Sequence, residues 1–349
     1  MRFWWVLILL VACSQSETVV IGGVFHLTGP GSFWGAGESN GAMMVVDEIN
    51  QGGGINGVAI RLVVEDGGTD FPKTVTAIHK LASDHEIIIG PTWFAQAASP
   101  LALELQTAIV SPSGGTLPQP TPYFFNLWPT EQQEVGPEVA LLSERGIRKI
   151  AIHYSHNDYS QSMRDHFVQE AAKYSIVVVQ EFVTAPDEMD FRGIITQLKQ
   201  LDVDALLANF AYYPSQGAFS RQAKELGLEI PVYAGANTET PALLENYPEI
   251  EGTVYSYPSK GPDEGMFVGR YKALFGTEPS PSAAYAYDAV YVVAQALRSG
   301  AMSADAVADY LREIKYNGVT NTIRFDENGR VAEKRHIMKQ VRNGAFVEI

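Results

Sequence analysis

The stretch from Val19 to Gly57, VVIGGVFHLTGPGSFWGAGESNGAMMVVDEINQGGGING, limits what this chain can become more than any other. Val19 to Phe25 is a short apolar run without helical spacing, the pattern of a buried parallel strand. His26 to Gly37 is crowded with glycine around Pro30 and reads as a loop. A helix should follow: Ala42, Val46 and Ile49 recur at helical spacing, Met43 and Met44 widen the apolar stripe, and Gly52 to Gly54 end it.

The same rhythm continues. Val58 to Glu65 reads as a strand, Phe71 to Ala82 as a helix, Ile87 to Gly90 as a strand, Gln96 to Leu105 as a helix and Ala108 to Ser111 as a strand. A loop dense in Pro, Gly, Ser and Thr follows from Pro112 to Pro122, so the first unit is expected to be a doubly wound parallel sheet. From Glu131 the alternation restarts and runs to Tyr255. Three helices then occupy Glu264 to Phe275, Pro281 to Arg298 and Ser303 to Lys315. The tail from Thr322 to Ile349 alternates as two strands, with Phe325 to Arg330 (FDENGR) expected to make the turn between them.

At 349 residues the chain exceeds the size at which one core usually stops growing, so two lobes are expected. Its 25 basic and 40 acidic residues leave a formal charge of −15, and no basic stripe with interleaved aromatics occurs. Nucleic acid is excluded as the expected partner.

The N-terminus carries Arg2, an apolar run from Phe3 to Val11 and a small residue before Cys13. That is a signal peptide, too short to span a bilayer as a stable helix. Leu10, Val11, Ala12 and Cys13 are similar to a bacterial lipobox, in which Cys13 is acylated and becomes the first mature residue. Cys13 is the only cysteine, so it has no structural disulfide partner. Residues 1–12 are thus expected to be removed and 13–18 to form a lipidated tether, since two or more acyl chains anchor stably.

Three pieces in order, LTGP with Trp34-Gly35 and then DEIN and GGING, YDAV from Tyr287, and FDENGR followed by KQVRNGAF, resemble the Leu/Ile/Val-binding type of periplasmic substrate-binding protein. The resemblance covers essentially the whole mature chain. It implies an α/β fold of two doubly wound parallel-sheet lobes joined by three crossovers, the type I periplasmic binding fold, with ligand in the cleft. Mapped by motif, the crossovers fall near Trp128 to Glu131, Tyr257 to Gly261 and Gly318 to Thr322. One lobe would comprise 19–130 with 260–319, the other 131–259 with 320–349.

Loops at strand C-termini carry function in open α/β sheets. Here they hold Trp34, Trp93 and Phe94, Ser113 with Gly114 and Gly115, Tyr159, Tyr212 and Asn237, which are the expected ligand-binding residues. The chain departs from the family's amino-acid site. Phe94 follows GPTW where a serine is usual, and Gly115 stands where a second hydroxyl is expected. Asn237 occupies the place of the acid that receives an ammonium group. Glu239, two positions along, is the alternative acid.

Other motifs have plainer readings. Gly37-Glu38-Ser39-Asn40-Gly41 satisfies the G-x-S-x-G pattern of a hydrolase, but Ser39 is expected in the first turn of a helix rather than on a strand-to-helix elbow. Gly35, Gly37 and Gly41 approach a dinucleotide fingerprint with a loop too long for it. His153 and His156 with Asp158 lack a fourth metal ligand, and strand alternation would point the two imidazoles to opposite faces. No catalytic residue, metal or cofactor is expected. The sequence is therefore read as an extracytoplasmic, lipid-anchored and monomeric protein that captures a small amino-acid-like, amide or aromatic molecule for an ABC importer permease. The alternatives are a ligand-sensing receptor module of the same fold and a serine hydrolase at Ser39.

Overall fold

A computed structural model describes residues 18–115, 121–332 and 334–349. Residues 1–17, which include the expected signal peptide and Cys13, lie outside the described residues, as do 116–120 and 333.

The first sheet is built from β1 (Thr18–Phe25), β2 (Ala59–Asp66), β3 (Ile87–Ile89), β4 (Ala108–Ser111) and β5 (Phe124–Asn126). Its order is β2-β1-β3-β4-β5, with every pairing parallel. Helices α1 (Ser32–Gln51), α2 (Phe71–Ala82) and α3 (Ala95–Glu104) connect the strands. Ile78, Leu81, Leu101 and Phe124 fill one face of the sheet under α2 and α3. Strand β5 had no counterpart in the sequence reading.

The chain then passes through α4 (Glu131–Glu144) into a second sheet: β6 (Lys149–Ser155), α5 (Asp158–Lys173), β7 (Val177–Thr184), α6 (Arg192–Leu198), β8 (Ala205–Asn209), α7 (Tyr213–Glu225), β9 (Val232–Ala234), α8 (Pro241–Asn246) and β10 (Val254–Pro258). The parallel order β7-β6-β8-β9-β10 repeats the first sheet's winding. Val139, Ile152 and Phe167 pack one face, and Phe182, Phe191, Leu206 and Phe219 the other.

Helices α9 (Glu264–Phe275), α10 (Ala283–Arg298) and α11 (Ala304–Glu313) return to the first sheet, where α10 packs along α1. Close approach there explains the glycines that imitate a dinucleotide fingerprint. A Cβ on Gly37 would lie 2.1 Å from the Ser280 hydroxyl, and one on Gly41 would lie 2.3 Å from the Ala283 carbonyl oxygen. They are points where α1 meets the start of α10 and the segment leading into it. Because α1 begins at Ser32, the loop is shorter than expected, Trp34 is on the helix, and Ser39 lies two turns in rather than in the first turn.

Strands β11 (Tyr316–Gly318) and β12 (Asn321–Ile323) form a small hairpin, and β13 (His336–Arg342) and β14 (Ala345–Glu348) complete the second sheet as an antiparallel edge. The tail thus differs from expectation in one respect. The β13–β14 turn is made by Asn343 and Gly344, both at positive φ, not by FDENGR. FDENGR instead folds against β5. The Asn126 N–H donates to the Gly329 carbonyl at 2.8 Å, Val331 N–H donates to the Asn126 carbonyl at 2.9 Å, and the Phe325 and Phe125 rings meet at 5.1 Å. Residues 325–331, expected in the second lobe, therefore run along the first sheet, and the chain rejoins the second at His336, so the third crossover lies after Val331 and not near Gly318 to Thr322, which form the small hairpin.

Asp288 of α10 ties the small hairpin in place. Its buried carboxylate accepts from Val319 N–H at 3.0 Å, from Thr320 N–H at 2.8 Å and from the Thr320 hydroxyl at 2.6 Å.

Candidate functional site

A cavity of about 250 Å³ lies between the two sheets, walled by loops from the C-terminal end of each. That is where the doubly wound topology concentrates free N–H groups and side chains from successive loops. Trp34, Trp93, Phe94, Ser113, Gly114 and Gly115 line it from the first lobe; Tyr159, Tyr212 and Asn237 line it from the second. All nine residues proposed from the sequence are brought together, and Trp34 arrives from the first turn of α1 rather than from a loop.

The first-lobe wall is aromatic. Trp34 meets Trp93 at a centroid distance of 6.0 Å and Trp128 at 5.3 Å, giving three indoles on one wall. Trp93 and Phe94 hold left-handed backbone angles (φ 57° and 50°), a conformation that carries a cost for side chains of this size and persists only where packing enforces it. Behind Phe94 lies His26, 5.1 Å away ring to ring, whose imidazole is fully buried and held down to about 4 by that burial.

Ser113, expected to offer its hydroxyl to a ligand carboxylate, is already engaged. Its hydroxyl donates to one oxygen of Glu38, and the Thr92 hydroxyl donates to the other. Glu38 is completely buried, and that burial pushes its carboxyl up to about 7 against the opposing effect of these hydroxyls. A hydroxyl has one hydrogen to give, so an ionised Glu38 leaves Ser113 only lone pairs towards the cavity.

In the second lobe, the Asn237 amide nitrogen donates to the carbonyls of Phe210 at 3.0 Å and Ala211 at 3.2 Å. The alternative acid is elsewhere. Glu239 pairs with Lys339 at 2.5 Å and accepts from the Tyr255 hydroxyl at 2.6 Å, so its charge is already matched and it does not line the cavity.

The sequence reading missed several lining residues: Trp128 on the first passage between lobes, Gln96 of α3, Asn157 and Asp158 at the start of α5, and Asn209 at the end of β8. Trp128 carried a usable signal, as a tryptophan in the segment where the chain leaves the first sheet. Gln96 and Asp158 hydrogen-bond to each other across the cleft, a pairing that no local pattern announces.

The excluded chemistries have structural reasons. Ser39 lies within α1, not on a strand-to-helix elbow. His153 is buried among Phe191, Phe210 and Phe219, and its Nε2 is 3.0 Å from the Thr184 hydroxyl; His156 lies beyond the end of β6. Among the described residues no group of three His, Cys, Asp or Glu could hold a metal ion, and no helix is long and apolar enough to cross a membrane.

Comparison with known proteins agrees with this architecture. The sequence profile of the periplasmic binding protein family matches residues 18–345. The leucine-specific-binding protein of Salmonella typhimurium is 27% identical over 344 residues, covering 92% of this chain and 91% of that protein. The branched-chain amino acid transporter substrate-binding protein of Streptococcus pneumoniae, solved with isoleucine, superposes with a TM-score of 0.86 at 24% identity, over 95% of this chain and 99% of that one. A solute-binding protein from R. palustris, solved with benzoate, superposes at 0.84 with 16% identity, over 95% and 96% of the two chains. With the family profile spanning nearly the whole chain and the type I fold in place, this chain belongs to the periplasmic binding protein family.

Proposed function

We propose that this protein captures a small, flat, largely apolar solute between its lobes and delivers it to the permease of an ABC importer. The observation that carries the ligand class is the wall of three indoles facing Tyr159 and Tyr212 across a cavity of about 250 Å³. Aromatic walls gain most from planar ligands, by area and by stacking geometry. The relative solved with benzoate supports the capacity of this fold for such a solute. The relatives named for leucine or solved with isoleucine support an amino acid instead, but the side chains here do not. What fails is the carboxylate end: the Ser113 hydroxyl is committed to Glu38 and Phe94 brings no donor, while Asn237 and the Lys339-paired Glu239 place no acid in direct reach of an ammonium.

The ligand-binding residues are Trp34, Trp93, Phe94, Ser113, Gly114, Gly115, Tyr159, Tyr212 and Asn237, and the chain works as a monomer without catalytic turnover. Its lobes are 19–130 with 260–319 and 131–259 with 320–349, save that 325–331 sits against the first. Cys13 carries the lipid that holds the protein at the membrane outside the cytoplasm.

The test is calorimetry with leucine, isoleucine and valine beside benzamide and benzoate. Aromatic solutes should bind and the branched-chain amino acids should not. Micromolar binding of leucine, about −8 kcal/mol, would restore the amino-acid site and overturn the ligand class.

A further inference from the structure

Helix α4 turns three carboxyls inward. Glu131, Glu134 and Glu138 are 5%, 0% and 1% exposed, spaced three and four residues apart on one face of a helix that begins with a Thr130–Gln133 capping box. Buried carboxylates are ordinarily paired with a cation or fully hydrogen-bonded, because an unpaired charge removed from water is costly. Neither holds here. Glu134 accepts from the Tyr159 hydroxyl at 2.6 Å through one oxygen, but its other oxygen, Oε1, has no partner, and neither carboxylate oxygen of Glu138 has one.

The free oxygen of Glu134 stands directly behind the ligand cavity. A Cβ placed on Gly235, which lines that cavity, would be 3.6 Å from Oε1. Among the described residues, the groups facing Glu134 supply no compensating charge. On α4 there are Glu131 and Glu138; from α5, Tyr159; from α10, Tyr285; from β10, Ser256, whose hydroxyl is spent on the backbone carbonyl of Glu134. From β13, His336 Nε2 comes within 4.0 Å, but burial holds its imidazole down to about 3, so it is neutral.

Two side chains of the second-lobe wall then face the ligand as acceptors. Tyr159 has one hydroxyl hydrogen and gives it to Glu134, leaving lone pairs. Asn237 gives its amide hydrogens to two backbone carbonyls, leaving its own carbonyl oxygen.

We infer that the second lobe selects ligands that present an N–H donor group, amide or cationic, to Tyr159 and Asn237, with Glu134 as the positioning residue and counter-charge behind them. An acceptor-only carboxylate at the same place would set lone pair against lone pair. Burial, against the lowering effect of the Tyr159 hydrogen bond and with a smaller push from the charge of Glu131, raises Glu134 to about 8, so near neutral pH it is largely protonated until a cation arrives. A cationic ligand therefore binds with release of a proton from Glu134 to solvent. The inference rests on the cavity taking a flat aromatic solute.

The test uses three isosteric probes, benzamidine, benzamide and benzoate, with leucine as the control, titrated calorimetrically at pH 7 in buffers of different ionisation enthalpy. Benzamide and benzamidine should each bind at least tenfold tighter than benzoate, and benzamidine alone should release a proton. In Glu134→Gln the proton release should vanish and the advantage of benzamidine over benzamide should shrink; a purely structural role would weaken all three probes alike. Benzoate binding tightest, or proton release unchanged in Glu134→Gln, overturns this inference while leaving the aromatic reading intact. Leucine binding where none of the three probes does, or no binding of any of them, overturns the aromatic reading and the inference with it.

Discussion

Trp93 of the first lobe and Tyr212 of the second lie ring against ring across the cleft, their centroids 6.3 Å apart and their planes inclined by 31°. With the hydrogen bond between Gln96 and Asp158, this contact holds the two lobes together over the cavity. Both contacts of this closed arrangement are made by side chains that also line the site. A ligand that contacts both walls shifts the population towards that arrangement by as much as it prefers it. Small-angle scattering should therefore show a smaller radius of gyration on saturation with a bound aromatic solute. Trp93→Ala should weaken binding at least tenfold and blunt the contraction. An unchanged radius with a confirmed ligand would sink the hinge reading.

The seam between α1 and α10 tolerates no side chain at Gly41, where a Cβ would lie 2.3 Å from a backbone carbonyl that has nowhere to move without shifting α10. Gly41→Ala should cost about 1–3 kcal/mol, the range for overpacking a well-filled core. Urea unfolding would show this as a lower midpoint with an unchanged slope. A loss below about 0.5 kcal/mol would show that the seam gives way more easily than its geometry implies.

The sheet-and-helix rhythm was legible because burial on both faces writes continuous apolar runs and helices write their own spacing. What local pattern missed was set by partners distant in sequence. The three residues of β5 are too short to stand out, and FDENGR resembles a hairpin turn whether it joins two strands or packs against Asn126. At the site, aromatic residues after strands pointed to the cavity. Nothing in the sequence showed that Glu38 would take the Ser113 hydroxyl, or that Glu134 would take the Tyr159 hydroxyl, from positions 75 and 25 residues away. Those two carboxyls, not the lining residues alone, decide which way the hydrogen bonds of the cavity run.

Glu38 also carries a pH signature. Its carboxyl is raised from 4.5 to about 7, so between those values the folded protein holds a proton that the unfolded chain releases. The stability it contributes is present below 4.5 and is lost as pH rises through 7. Three buried histidines act in the opposite sense: His26 and His153 are lowered to about 4 and His336 to about 3, so their effect favours the folded state as pH rises towards 6.5 and then ends. Comparing Glu38→Gln with the parent isolates the carboxyl. Urea unfolding at pH 5 and pH 8 should find the variant gaining on the parent at the higher pH, and a constant difference between the two would contradict the buried, proton-holding Glu38.

The lipid anchor is tested at Cys13, the single cysteine. A diacylated N-terminus partitions stably with membranes, whereas a merely secreted chain remains in the soluble fraction. Cells expressing Cys13→Ala should release nearly all of the protein from the membrane pellet, and the parent should remain there. Equal partition of the two would remove the anchor from the account.

Asp288 fixes the β11–β12 hairpin on the first-lobe side of the return to the second sheet. Its carboxylate gathers two backbone N–H groups and one hydroxyl from Val319 and Thr320, and Lys334, on the segment returning to the second sheet, donates to the same Thr320. A Cβ on Gly318 would lie 2.4 Å from that carboxylate, so the segment passes over Asp288 too closely for any other residue. Asp288→Ala strands two buried N–H groups, each costing about 1–3 kcal/mol when left unpaired. The loss should fall on both folding and closure, since the same segment is fixed to α10 at one side and to Lys334 at the other. Thr320→Val separates the two effects: it removes only the hydroxyl, so unfolding free energy should drop by about 1 kcal/mol. If Asp288→Ala lowered stability no more than Thr320→Val does, the backbone N–H groups would have found other partners, and Asp288 would not be the residue that fixes this hairpin.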